Sequence, residues 1–169
     1  MENLKELGWL DFNGKITADG LHILASLLGG LPLVHQGKWR EAFVPMVSKL
    51  VRVCVDLAVI KDHQVLLKWR KDEFWEGWEM PGGSLGPGES WEDASNRLAE
   101  EEFGLKVRFG QRLGAYNNTD NLRAHDLTVL LLCEPISEPR EGRWFQGRPP
   151  DIISVHQKYW PAVRPYLRD

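Results

Sequence analysis

The rhythm of apolar positions changes at about residue 50. Before it, "LKELGWL" (4–10) and "TADGLHILASLLGG" (17–30) place apolar residues at helical spacing, with Thr17 as an N-cap and Gly29-Gly30 as a stop. Between them, Asn13-Gly14 within "GWLDFNGKIT" predicts a short hairpin. From Leu50 onward the apolar runs are short and β-branched. "VRVCVDLAVI" (51–60) and "QVLLKWR" (64–70) predict two antiparallel strands joined by a turn at Lys61-Asp62-His63. A Gly/Pro-rich loop, "MPGGSLGPG", leads into a helix from about Ser90 to Phe103, closed by Gly104. "KVRFGQRLGAYN" and "HDLTVLLLCEP" predict two further strands, and "RWF" at 143–145 a short one. An amphipathic helix is expected from about Asp151 to Leu167, broken by Pro161 and Pro165.

This order divides the chain into an N-terminal extension over residues 1–50 and a main domain over 51–169. The extension faintly resembles the end of a winged helix, but its charges cancel, whereas a DNA-reading wing is usually basic. A packing or homodimerisation role is the expectation. The 169 residues suffice for one well-cored domain plus such an extension. A net charge of -3 gives no footing for general nucleic-acid binding. The longest apolar run, "LTVLLLC" at 127–133, is too short to span a bilayer, and the N-terminus lacks the layout of a secretory signal. Cys54 and Cys133 sit in strand-like apolar runs, which points to buried thiols and a cytoplasmic setting.

The helix over 90–103 carries the candidate chemistry. It contains "RLAEEEFG" (97–104), with three consecutive carboxylates. Glu101 and Glu102 stand about 100° apart around a helix axis, close enough to converge on one ion. Hard divalent cations take oxygen ligands and complete their shell with water and substrate phosphate. An acidic run alone is ordinarily a solvated face. Here it comes in company: Gly83, five residues, Glu89, seven residues, Arg97, then Ala99, Glu101, Glu102, Gly104 and Leu105.

That spacing resembles the Nudix hydrolase signature G-x5-E-x7-R-E-U-x-E-E-x-G-U, U being bulky and apolar, and "GWEMPGGSL" resembles the family's lead-in. The resemblance covers about 51–167 in element order, with the tight motif at 78–105. It implies an α/β (α+β) fold, a mixed β-sheet sandwiched between helices. It also implies an Mg²⁺-dependent hydrolase (Mn²⁺ as the alternative) acting on a nucleoside diphosphate linked to another moiety. By the same resemblance the Gly83 carbonyl, Glu101 and Glu102 are the metal ligands, Glu102 the most indispensable. Arg97 and Glu89 are an orienting pair behind them.

Two positions depart from the signature. Ala99 is smaller than the usual residue. Leu98 stands where the family has a glutamate that ligates metal or activates water, and a leucine does neither. Three readings stay open. The base lies elsewhere, with Glu138 and Glu141 in "ISEPREGRWF" as candidates and His125 and Asp126 behind them. Or the chain resembles the GDP-mannose mannosyl hydrolase branch, which shares leucine after the motif arginine, attacks the sugar carbon and acts on nucleotide sugars. Or the domain is a nucleotide-binding sensor that does not turn its ligand over. Lys68 and Arg70, alternating on one strand, are candidates for the phosphates. Trp75 and Trp78 are candidates to stack on a base or sugar. Specificity is expected on loops 71–78, 117–125 and 136–151.

Overall fold

The structure is a computed structural model that describes residues 5–11, 17, 20, 50–122 and 124–167. The expected Asn13-Gly14 hairpin and the helix after Thr17 fall largely outside those residues. Within them, the Thr17 hydroxyl accepts from the Gly20 N–H at 3.0 Å, an N-cap type of contact. No helix among the described residues is long and apolar enough to cross a membrane.

Among the described residues seven strands form one mixed sheet. They are β1 (Arg52–Lys61), β2 (Gln64–Lys71), β3 (Glu76–Glu79), β4 (Gly82–Ser84), β5 (Val107–Asn118), β6 (Asp126–Pro135) and β7 (Arg143–Phe145). The main order is β3-β2-β1-β6-β5, with β4 added beside β1 and β7 beside β2. β1 and β6 run parallel, Arg52 to Val59 against Asp126 to Cys133, and the other pairs are antiparallel. β1 is buried along most of its length because both of its faces are covered. On one face Val55, Leu57 and Val59 meet Leu98, Ala99 and Phe103 of helix α1 (Trp91–Phe103). On the other, Ala58 packs with Val65, Leu130, Tyr159 and Val163.

Local sequence explains where α1 starts and stops. The Ser90 hydroxyl accepts from Asp93 N–H at 3.1 Å while the Asp93 carboxylate takes the Ser90 N–H, a reciprocal cap. Gly104, at φ 61°, closes the helix with its N–H on the Ala99 and Glu100 carbonyls. Ala94 and Leu98, and likewise Ala99 and Phe103, repeat at a spacing of four on the buried side.

Two strands differ from the sequence expectation. β3 lies mostly in the segment expected as loop 71–78 and β4 in the Gly/Pro-rich loop, because each has only three or four residues and little alternation. β4 exists for a steric reason. A Cβ on Gly82 would lie 1.8 Å from Asp56 Oδ1 and 2.6 Å from the Val55 carbonyl, so only glycine brings this segment against β1. The expected C-terminal helix is split into α2 (Ser154–Gln157), α3 (Trp160–Val163) and a 3₁₀ turn at Arg164–Tyr166, with Pro161 and Pro165 at the breaks.

Candidate active site

Helix α1 presents its two motif carboxylates on the rim of the fold, Glu101 exposed and Glu102 half-buried. Arg97, one turn earlier, is held by Glu89 through Nε–Oε1 at 2.6 Å and Nη2–Oε2 at 2.8 Å. The same guanidinium donates to the Ser84 carbonyl at 3.0 Å and to Glu101 at 3.3 Å. Glu89 Oε2 also accepts from the Gly86 N–H at 2.8 Å. One planar fork therefore ties β4, the glycine loop and α1 into a single unit. The Arg97 hydrogen bonds hold the Glu89 carboxyl below its usual range, and Glu89 in turn raises the Arg97 guanidinium.

Glu102 has a different neighbour. Lys68 of β2 reaches its Oε2 at 3.3 Å and its backbone carbonyl at 3.0 Å, and also reaches Glu141 Oε2 at 3.1 Å. Burial works against the Lys68 charge, yet hydrogen bonding to Glu141 and the charge of Glu102 hold its pKa above the ordinary value. Glu141 arrives because its loop docks on the end of α1. The Arg140 N–H donates to the Phe103 carbonyl at 2.8 Å. Gly142, at φ 96°, fits where a Cβ would sit 2.8 Å from Phe103. Glu138, the other loop candidate, is drawn instead to Lys61 at 2.6 Å, beside the β1–β2 turn.

Leu98 is not on the rim. It is 2% exposed, belongs to the core beneath the sheet, and its Cδ2 lies 2.8 Å from where a Gly83 Cβ would be. The leucine thus props the glycine strand from below. For a divalent cation the donor chemistry fits. Glu101 and Glu102 are hard oxygen donors on adjacent helix positions, and Glu102 and Glu141 already share one cationic group, the Lys68 ammonium. No three His, Cys, Asp or Glu side chains among the described residues form a closed cage. Such a donor set suits an ion that keeps waters and adds substrate phosphate.

Beyond Gly82 and Gly83 opens a small polar cleft. Arg70 and Trp75 line it, whereas Lys68 and Trp78 do not. Arg70 is bound to Glu79 at 2.9 Å and to Asp72, and its guanidinium lies 4.6 Å above the Trp75 ring. Trp78 packs edge-on against Trp69 and Phe145, at 5.3 and 4.8 Å. Burial pushes the Glu79 carboxyl upward. His125 turns to Asn117, while Asp126 is 3% exposed and accepts from Asn118 Nδ2 and the Thr128 hydroxyl, both at 2.7 Å.

The cleft also contains residues that the sequence reading passed over. His156 Nδ1 accepts from the Met80 N–H at 3.0 Å, and its Nε2 lies 3.3 Å from Asp56 Oδ2. With Nδ1 committed as an acceptor, the neutral ring carries its proton on Nε2, the nitrogen nearer Asp56. The signal was present: Asp56 is a lone charge inside "VRVCVDLAVI", where β1 is otherwise apolar.

The chain is also similar to known proteins. The NUDIX domain profile matches residues 50–164. The chain is 29% identical over 126 residues to the ADP-ribose pyrophosphatase of Methanocaldococcus jannaschii, covering 69% of this chain and 73% of that protein. It is 28% identical over 121 residues to diphosphoinositol polyphosphate phosphohydrolase 2 of Homo sapiens, covering 68% of this chain and 66% of that protein. The MutT NUDIX hydrolase from Burkholderia pseudomallei shares the fold. It superposes with a TM-score of 0.57 over 68% of this chain and 96% of that chain, at 23% identity.

Proposed function

The chain belongs to the NUDIX domain family of hydrolases, and from that premise we propose that it hydrolyses a nucleoside diphosphate linked to a second moiety, using Mg²⁺ or Mn²⁺ held on α1. The observation that carries this reading is the pair Glu101 and Glu102 at the rim of a capped helix, Glu101 held by Arg97 of the Arg97–Glu89 fork and Glu102 by Lys68. The names of the two relatives, an ADP-ribose pyrophosphatase and a diphosphoinositol polyphosphate phosphohydrolase, support a diphosphate as the group attacked.

In this proposal Glu101, Glu102 and the Gly83 carbonyl are the metal ligands. A bound divalent cation supplies charge neutralisation at the diphosphate and acidifies a water. Arg97 and Glu89 hold the loop and helix in register, so that the ligands need not reorganise when substrate arrives. Leu98 leaves the family's base position without a titratable group, and Glu141 takes that part. It lies across Lys68 from Glu102, on a loop pinned to α1, whereas Glu138 is committed to Lys61. Lys68 screens the two carboxylates from each other and offers an ammonium to the incoming phosphates.

The test is a hydrolysis screen over ADP-ribose, nucleotide sugars, dinucleoside polyphosphates, nucleoside triphosphates and diphosphoinositol phosphates, with and without Mg²⁺. Turnover of at least one diphosphate ester that requires the metal, and its loss by about 10²-fold or more in Glu141→Gln, is the expected result. Metal-independent turnover, or a Glu141→Gln variant at wild-type rate, would remove the proposed roles.

A further inference from the structure

The backbone that leads from β3 into the glycine strand is laced to the segment just before α2. The Trp78 N–H donates to the Asp151 carbonyl at 2.8 Å, and the Ile153 N–H donates back to the Trp78 carbonyl at 2.9 Å. Trp78 and Ile152 form a parallel bridge between the two segments. The next contact is of another kind. Where α2 begins, the Met80 N–H donates to a side chain, His156 Nδ1, at 3.0 Å. Met80 is 1% exposed and His156 5%, so water has little access to this pair. A buried backbone N–H needs a partner, and here the imidazole provides it. The other ring nitrogen, Nε2, lies 3.3 Å from Asp56 Oδ2. The second oxygen of that carboxylate lies flush on Gly82, where a Cβ would come within 1.8 Å of it. One ring therefore grips residues 80–82 twice, once through the backbone and once through the carboxylate against the glycine.

We infer that His156 is a positioning residue for the metal site, holding the glycine strand so that the Gly83 carbonyl meets the cation on α1. The inference deepens the proposed hydrolase reading and rests on it for the placement of the cation. Three observations lead from the ring to the ion. Gly83 directly follows the gripped residues and pairs with Val55 of β1, the neighbour of Asp56. The ring is itself fixed, stacked on Tyr159 at 5.0 Å with the planes 28° apart, and the His156 N–H donates to the Ile153 carbonyl at 3.0 Å. Hard octahedral cations hold their oxygens at about 2.0–2.1 Å, so a small displacement of one ligand is felt as lost affinity. An apolar side chain in place of the imidazole leaves the Met80 N–H without its acceptor. The segment then has to move to find another, and Gly82 leaves its seat against Asp56. A histidine that only filled space in the core would have no such consequence for the ion.

The test is Mn²⁺ affinity of the full chain, read by electron paramagnetic resonance without substrate, in His156→Leu, His156→Asn and Val65→Ala. Asparagine carries its amide oxygen near the place of the imidazole Nδ1 and so keeps an acceptor for the Met80 N–H. Val65 is fully buried in β2 and pairs with Ile60 and Phe145, away from the glycine strand, so its truncation reports general loosening. The expected result is that His156→Leu weakens Mn²⁺ binding about tenfold, the scale of residues that orient ligands. His156→Asn is expected to recover most of that loss, and Val65→Ala to stay near wild type. Unchanged affinity in His156→Leu would overturn the inference. So would His156→Asn no better than His156→Leu, or an equal loss in Val65→Ala. Should His156→Leu fail to fold, His156→Gln replaces it, since glutamine reaches toward Asp56 but lacks the acceptor at the Nδ1 place. It is expected to bind Mn²⁺ more weakly than His156→Asn, and equal affinity of the two would overturn the inference. The hydrolase reading fails separately, through a Glu102→Gln variant that binds Mn²⁺ as wild type does, whatever the His156 variants show.

Discussion

Substituting Leu98→Glu restores the family's residue, and the structure makes it destabilising. Leu98 is 2% exposed among Val55, Leu57, Leu66, Ala99 and Phe103. Removing a fully buried leucine forfeits about 2 kcal/mol of burial. The introduced carboxyl then meets an apolar core, which raises its pKa by roughly two to three units, about 3–4 kcal/mol at neutral pH. The sum, about 5–6 kcal/mol, is a large part of the stability of an ordinary domain. The charge component has a definite sign with pH. A carboxyl whose folded pKa is raised leaves stability intact below its unfolded value and withdraws it as pH climbs toward the folded value. Urea unfolding at pH 5 and pH 8 should therefore show a variant deficit that is larger at pH 8. Leu98→Gln should show a deficit of about 3–4 kcal/mol at both pH values. A Leu98→Glu protein as stable as wild type at pH 8 would refute the placement of residue 98 in the core.

Glu89→Gln should destabilise by about 1 kcal/mol near neutrality, since the Arg97 fork is partly solvent-screened. Because the Glu89 carboxyl is held low, the deficit should shrink as pH falls below 4.5, checked by thermal unfolding at pH 7 and pH 4. Asp62 and His63 form the β1–β2 turn with φ 49° and 61°, so the pair Asp62→Asn and His63→Gly should stabilise by about 0.5–1 kcal/mol, read as a rise in Tm. Burial pushes the Cys54 and Cys133 thiols up to about 12, so native protein should resist thiol reagents at pH 8 and release both thiols only on unfolding.

Much of this was readable in the residues because the relevant signals are local. The Ser90 cap, the Gly104 stop and the stripe of Ala94 and Leu98 define α1 without reference to the rest of the chain. The Glu89–Arg97 partnership follows from the motif spacing and appears as a bidentate ion pair. What escaped depends on long-range approach. β4 forms because Gly82 accommodates the Asp56 carboxylate, a contact between segments 26 residues apart. Lys68 and Arg70 alternate on one strand and look equivalent, yet one joins Glu102 and Glu141 while the other is captured by Glu79 and Asp72. The His156–Asp56 pair spans nearly the whole domain, and no spacing rule brings it to notice.

The central claim is that α1, and not the cleft, holds the catalytic cation. The most direct measurement is Mn²⁺ binding followed by electron paramagnetic resonance on the wild type, Glu102→Gln and Glu79→Gln. The expected result is that Glu102→Gln weakens binding by about tenfold or more while Glu79→Gln, altering a carboxylate bound to Arg70, leaves it near wild type. Unchanged Mn²⁺ affinity in Glu102→Gln, or a loss confined to Glu79→Gln, would contradict the account.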